Sequence, residues 1–261
     1  MAFGLKAWLA PPVREKAAQK WSVLSESLRN GGRPPVRSLR EEAVKLYREV
    51  GTFLQLSDPR AIRARQGLGR VVSRPGTDWA WRPGIMCGPV IPAGIAAPGA
   101  GQKLADEIAV WHDCEHRALI LRQLQNRDAG DNAPFGLRLE VMAFTGSYLS
   151  LSLDLPADIL DGLGKSHVIQ LEAAFRTETP LTVYGRLNLV QGPNTEQVLR
   201  ELRIPEGATS DYSIGEYDLA YADLSDRSVE KVWLDLIFTS PYMNAVTIRD
   251  IALARYPRAE M

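Results

Sequence analysis

Residues 147–155 read SYLSLSLDL, a strict two-residue alternation. It sets Leu149, Leu151, Leu153 and Leu155 on one side of an extended chain, and Tyr148, Ser150, Ser152 and Asp154 on the other. Successive side chains of a strand point to opposite faces, so this segment is a strand with one face in a core and one toward water. The same texture recurs at 136–144, 166–176, 181–190, 213–222, 229–239 and 246–255, and earlier at 105–112 and 117–125. Turn formers separate the runs: Asp128 to Asn132, Asp161 to Gly164, Gln191-Gly192-Pro193 and Pro241. Many strands with no long helix between them call for two stacked antiparallel sheets. No repeat of fixed period is visible, which argues against a propeller or a solenoid.

The first 75 residues differ. Residues 13–29 place Ala17, Ala18, Trp21, Leu24 and Leu28 on one helical stripe, which stops at the cap signature Asn30-Gly31-Gly32 before Pro34-Pro35. Ser38 and Glu41 form a capping box that opens a second helix, with a stripe of Leu39, Ala43, Leu46, Tyr47, Val50 and Leu54, ended by Asp58-Pro59. The expected helices are 13–29 and 38–56. A hairpin this small buries little alone and needs the sandwich, a second copy or a partner.

Charge follows the same division. Residues 1–75 hold 15 Lys and Arg against 6 Asp and Glu, a net of +9; residues 76–261 hold 16 against 25, a net of −9. Such segregation fits an arm that docks on its own acidic body, or one that meets an acidic partner. The expected domains are a basic helical arm with its linker, 1–75, and an acidic sandwich, 76–261.

Some classes are disfavoured. No apolar run is long enough for a membrane-spanning helix. The first residues, MAFGLKAWLAPPVREK, lack the cationic start of a signal peptide, so the expected location is cytoplasmic. Cys87 and Cys114 form no disulfide framework and no CxxC pair, which reads as two buried free thiols. Arg60, Arg63, Arg65, Arg70 and Arg74 follow one another without an intervening acid. They suit phosphate contacts, but the segment lacks interleaved aromatics, so a linker lying on the sandwich is preferred and nucleic acid is not the expected partner.

The closing stretch, VWLDLIFTSPYMNAVTIRDIALARYP, resembles the end of carbohydrate-binding-module and galactose-binding-like jelly rolls. There a buried strand and a short loop precede a last strand of form I-x-D-[IV]-x-L, here Ile248 to Leu253. The resemblance covers about 25 residues and implies an antiparallel β-sandwich of jelly-roll type; with the helices read above, the expected fold is mainly β behind an α-helical N-terminal arm. In such modules the last-strand Asp often helps to hold a structural calcium ion. Asp250 is the matching position, with a salt bridge or a surface carboxylate as the alternative. The chain, and EIAVWHDCEHRALILRQLQNR in particular, also resembles an uncharacterised alphaproteobacterial family of unknown function, which implies no activity.

Candidate chemistry is sparse. His112, Cys114 and His116 would share a face on a continuous strand and offer three metal ligands; the alternative is a polar turn that scatters them. Gly164-Lys165-Ser166 matches only the end of a phosphate loop and reads as a hairpin turn. Glu216 and Asp218 share a strand face, but Tyr221 stands where the acidic motif of jelly-roll glycosidases carries its third carboxylate. No catalytic triad assembles from three histidines.

Sugars are held by flat rings aided by amides and charged groups. Trp79 and Trp81, co-facial if extended, with Arg82, Tyr184 and Tyr217, are the candidate ligand contacts, with burial in the core as the alternative for the two tryptophans, since aromatics in a sandwich are more often core than platform; Tyr212, Tyr221 and Tyr242 are further candidates. Trp111 and Trp233 read as core residues from their strand context. The expected function is a non-enzymatic module that recognises a carbohydrate. The alternative is a scaffold whose arm, residues 1–75, binds a protein partner or oligomerises, and a carbohydrate-active enzyme is the third reading. No cofactor other than the calcium ion is expected.

Overall fold

The computed structural model describes residues 11–33, 36–57, 64, 68, 74–128, 130–204, 212–225 and 227–258. It falls into two compact units, Met1–Val50 and Gly51–Met261.

Two helices open the chain. In α1 (Pro11–Arg29) the apolar stripe ends in a cap: Gly31 has φ +78°, and the Gly32 amide donates to the Ser27 carbonyl at 2.8 Å. Glycine adopts this left-handed conformation without a side-chain penalty. The second helix, α2 (Val36–Ser57), begins two residues before Ser38, so the serine sits in the first turn and not at the cap. Pro34, Pro35, Asp58 and Pro59 lie outside the described residues.

The mainly β expectation holds for the remainder. One sheet, A, runs in the order β11 (Ser213–Asp218), β8 (His167–Thr177), β13 (Asn244–Pro257), β6 (Phe135–Val141), β5 (Leu119–Gln125), β2 (Gly94–Ala96). The short β1 (Trp79–Trp81) pairs with the second half of β13. The other sheet, B, runs β10 (Asn194–Leu202), β9 (Val183–Gln191), β12 (Lys231–Phe238), β7 (Leu149–Asp154), β4 (Ile108–His112), β3 (Gln102–Ala105). Every pairing is antiparallel. From β6 onward nearly every connection crosses between sheets, which is jelly-roll winding.

The core lies between the sheets. Leu149, Leu151 and Leu153 of β7 and Leu234, Leu236 and Phe238 of β12 belong to one buried cluster with Leu137, Leu139, Ile169, Leu171, Val246 and Leu253 of sheet A. A register slip in β13 between Ile248 and Asp250 lets Ile248 and Ile251, three residues apart, both enter the core. β1, β2, β3 and β10 were not among the expected strands. β10 reads NTEQVLREL, a helix-forming composition, but a two-residue turn with Gly192 at φ +59° folds it back along the whole of β9. Tertiary pairing overrides local preference there.

At Leu68 and Arg74 the linker lies on the outer side of sheet A. Leu68 is buried with Ala80, Ala252 and Ala254, and Ala64 with Cys87. Arg74 donates to Glu216 at 2.6 Å and lies 4.9 Å over the Tyr256 ring. Arg60, Arg63, Arg65 and Arg70 lie outside the described residues. Among the described residues no helix is long and apolar enough to cross a membrane.

Candidate functional site

The residues singled out by sequence do not converge. Trp79 and Trp81 do share a face, but that face turns inward: both pack half-buried against the core, while Ala80 between them faces the linker. The Trp79 indole donates to Asp158 at 2.9 Å. Tyr217 is fully buried and its hydroxyl has no partner; burial raises its pKa. Arg82 is 3% exposed, and its guanidinium grips Asp250 through Nε (2.8 Å) and Nη2 (3.0 Å). Asp250 Oδ2 also accepts from the Tyr212 hydroxyl at 2.9 Å. Arg82 is therefore a structural ion-pair partner, and Asp250 has both oxygens engaged, the salt-bridge alternative to calcium ligation. Of the five expected ligand contacts only Tyr184, on β9, lies on an outer sheet face, where it stands opposite Ile237 and Glu201.

The His112–His116 segment is a turn. His112 is buried, with Nε2 2.9 Å from the Pro98 carbonyl oxygen and Nδ1 accepting the Cys114 amide, whereas His116 is exposed. Among the described residues no group of three His, Cys, Asp or Glu is placed to hold a metal ion. The Cys114 thiol is brought down to about 7: burial opposes this, but the amides of Thr145, Ala118 and His116 and the Thr145 hydroxyl favour the thiolate. Asp113 has a positioning role that the sequence did not reveal. Its carboxylate accepts from the Ser147 hydroxyl (2.5 Å) and from the Ser147 and Tyr148 amides (2.7 and 3.3 Å), which lowers its pKa despite some desolvation. That grip fixes the loop carrying Tyr148. Glu216 is tied to Arg74, and Asp218 to Arg258.

What the strands assemble instead is a trough of about 460 Å³ on the outer face of sheet B. Alternation sends Lys231, Trp233 and Asp235 outward from β12, Arg186 and Asn188 from β9, Ser150, Ser152 and Asp154 from β7, and Ala109 and Trp111 from β4. Trp233 stands opposite Asn188 and Asp154, and Trp111 opposite Ser150. The two indoles are thus two strands apart and offset along them, roughly 10 Å across and 13 Å along at ordinary strand spacing. Between them the floor is Ser150, Ser152 and Ala109, side chains too short to fill the space.

The walls are polar and held in place. Arg186 donates to Asp235 Oδ2 from Nη2 (2.9 Å) and Nε (3.2 Å), and Asn188 Nδ2 donates to the same oxygen at 2.9 Å. Asn188 is fully buried, and its Oδ1 acceptor has no partner. Lys231 pairs with Asp154 at 2.8 Å and lies 5.5 Å from the Trp233 ring centroid. Trp111, 45% exposed, lies over Gly101, where a Cβ would stand 3.0 Å from the indole Cη2. Trp111 and Trp233 are therefore surface rings and not the core residues their context suggested. The missed signal was phase: in VEKVWLDLIFT, Trp233 falls in step with Lys231 and Asp235, not with Val232 and Leu234.

The chain is similar in structure to a carbohydrate-binding module of family 11 from Clostridium thermocellum, solved with a mixed-linked tetrasaccharide (TM-score 0.36, 9% identity, 62% of this chain and 96% of that one). It is also similar to a family 22 module of xylanase 10B from the same organism (TM-score 0.36, 9% identity, 71% and 97%). A third likeness is to the enzymatically active domain of tailspike protein 4 of bacteriophage CBA120 (TM-score 0.39, 9% identity, 59% of this chain), of which the chain spans only 20%. No curated protein matches the sequence. A family model described as a family of unknown function, DUF6478, matches residues 1–261, and the chain belongs to that family.

Proposed function

We propose that this member of DUF6478 is a non-catalytic carbohydrate-binding protein whose ligand lies in the trough of sheet B. One observation carries the reading: two tryptophan rings stand on the solvent side of a sheet, separated by a floor of serines and an alanine. Rings on the outer face of a sheet form a platform, and pyranose faces stack well on such rings. Arg186 and Gln197 offer donors and acceptors beside them, and Asp235 and the buried Asn188 hold Arg186 and the trough wall in place. Glycoside hydrolysis requires one carboxyl group to be held protonated. The trough's two carboxylates, Asp154 and Asp235, are each paired with a cation, which supports binding over turnover.

The test is a glycan array with the full chain, followed by titration of the best ligand. Trp111→Ala and Trp233→Ala should each weaken binding by about 30-fold, the effect of losing an aromatic hot spot worth about 2 kcal/mol. Trp79→Ala should lower stability and leave affinity unchanged. Unaltered affinity in both trough variants would refute the assignment.

A further inference from the structure

We propose that a concavity on the outer face of sheet A binds a tetrahedral oxyanion, a phosphate or sulfate group. This inference is independent of the trough on sheet B. The concavity holds about 390 Å³, within the range of small-molecule sites, about 300–1,000 Å³. Four arginines line it, Arg127, Arg138, Arg176 and Arg249, against the carboxylates of Asp128, Asp131 and Glu178. That is a local net of +1, set within residues 76–261, whose net is −9.

Strand register concentrates the charge. Arg122 of β5 stands directly opposite Arg138 of β6, Arg138 opposite Thr247 of β13, and Thr247 opposite Arg176 of β8. Three arginines thus occupy one rung across four strands. Like charges directly opposite one another destabilise a sheet, and the first two share a single carboxylate oxygen, Glu140 Oε1, at 2.8 and 3.1 Å. A bound anion relieves that repulsion.

Inside the concavity the arginines are of two kinds. Arg249 is held by Asp131 and Asp128, and Arg138 by Glu178 at 2.6 Å and the Thr247 hydroxyl at 3.3 Å. Arg127, on the turn after β5, and Arg176 are exposed, and among the described residues neither side chain has a hydrogen-bond or ion-pair partner. Arg138 and Arg176 flank β13 about 10 Å apart at ordinary strand spacing, so an anion above Thr247 is within reach of both. Guanidinium groups recognise oxyanions through paired N–H donors. Donors arriving from β6, β8 and the β5–β6 turn suit a tetrahedral group, whose oxygens point in several directions, better than a planar carboxylate.

The experiment is isothermal titration of the full chain, in dilute chloride buffer, with inorganic phosphate, inorganic sulfate and glycerol 3-phosphate, and with glycerol as the uncharged control. We expect saturable binding of the anions and none of glycerol. Arg127→Gln and Arg176→Gln should each weaken binding by about tenfold, the effect of losing one charge-assisted contact. Arg176→Lys should lose less than Arg176→Gln, because it keeps the charge without the fork. Both side chains are exposed and unpaired, so these variants should melt with the wild type. Lys165→Gln, an exposed charge on the turn before β8, should leave binding unchanged. Tighter binding of glycerol 3-phosphate than of inorganic phosphate assigns a group carried on a larger molecule, and equal affinity assigns the free anion. A chain that binds none of the anions overturns the proposal. So does affinity that persists in the double variant Arg127→Gln, Arg176→Gln, which would place the anion elsewhere on the chain.

Discussion

Replacing Asp250 with alanine should be among the most damaging single changes in the sandwich. Asp250 is 2% exposed and meets an equally buried Arg82 through two hydrogen bonds, at 2.8 and 3.0 Å. Alanine would leave the guanidinium with the Ala64 carbonyl, bonded at 2.5 Å, and take from the Tyr212 hydroxyl its acceptor. Removing one partner of a buried pair strands the other charge in a medium that solvates it poorly, at about 3–5 kcal/mol. Domains are stable by only about 5–15 kcal/mol, so this is a large share of the total. It corresponds to a fall in Tm of about 10 °C for a domain of this size.

The assay is urea unfolding at neutral pH, run once with EDTA and once with calcium. We expect the midpoint to drop with little change in slope, and the loss to be the same in both buffers. The double variant Arg82→Met, Asp250→Leu should recover most of it, because apolar replacement of both partners removes the stranded charge. A loss below about 1 kcal/mol would refute the ion-pair argument. Calcium that raises the stability of the wild type and not of Asp250→Ala would return the residue to the metal role implied by the last-strand resemblance.

Two further outcomes follow from close packing. A Cβ at Gly185 would stand 2.2 Å from the Tyr217 hydroxyl oxygen, so Gly185→Ala should cost about 1–3 kcal/mol. Tyr217→Phe removes the unpaired hydroxyl and should stabilise the fold by up to about 1 kcal/mol; thermal melts of the double variant should show less than the summed effects, and strict additivity would contradict the contact. At the trough, Gly101→Ala adds a Cβ against Trp111 at a position with φ +75°, so glycan affinity should fall by more than the melting temperature reports. Equal affinity in isothermal titration would show that Trp111 is not positioned by that glycine.

Alternation made most of the sandwich legible. SYLSLSLDL and VEKVWLDLIFT each declare which residues share a face, and β7 and β12 follow that division. Strand context misleads where phase does not: Trp233, between Val232 and Leu234, reads as core, yet its neighbours on the same face are Lys231 and Asp235. At Trp79-Ala80-Trp81 phase correctly paired the rings, but three residues could not say which side faced inward; that depended on Leu68 covering Ala80. The trough itself was illegible because its parts are remote. Trp233 meets Asp154 and Asn188 only after β12 inserts between β7 and β9, a pairing of segments separated by dozens of residues that no local pattern encodes.

The two outer faces of the sandwich are used in opposite ways, and that contrast is the best reason to look for a ligand on sheet B. On sheet A the linker's Leu68 covers Ala80, Ala252 and Ala254, and Gln170 and Glu172 are buried. A concavity there, about 390 Å³ between β6, β13 and β8, is lined with charges that mostly satisfy each other: Arg138 with Glu140 and Glu178, Arg249 with Asp128 and Asp131. On sheet B Trp111 is exposed and Trp233 partly so, beside a floor in which Ser150 and Ala109 are buried and Ser152 is partly accessible. A fold that covers one sheet's apolar residues with its own chain has the means to cover the other's. Where it leaves Trp111 exposed and Trp233 partly so along one trough, a bound ligand is the cover that the rest of the chain does not supply among the described residues.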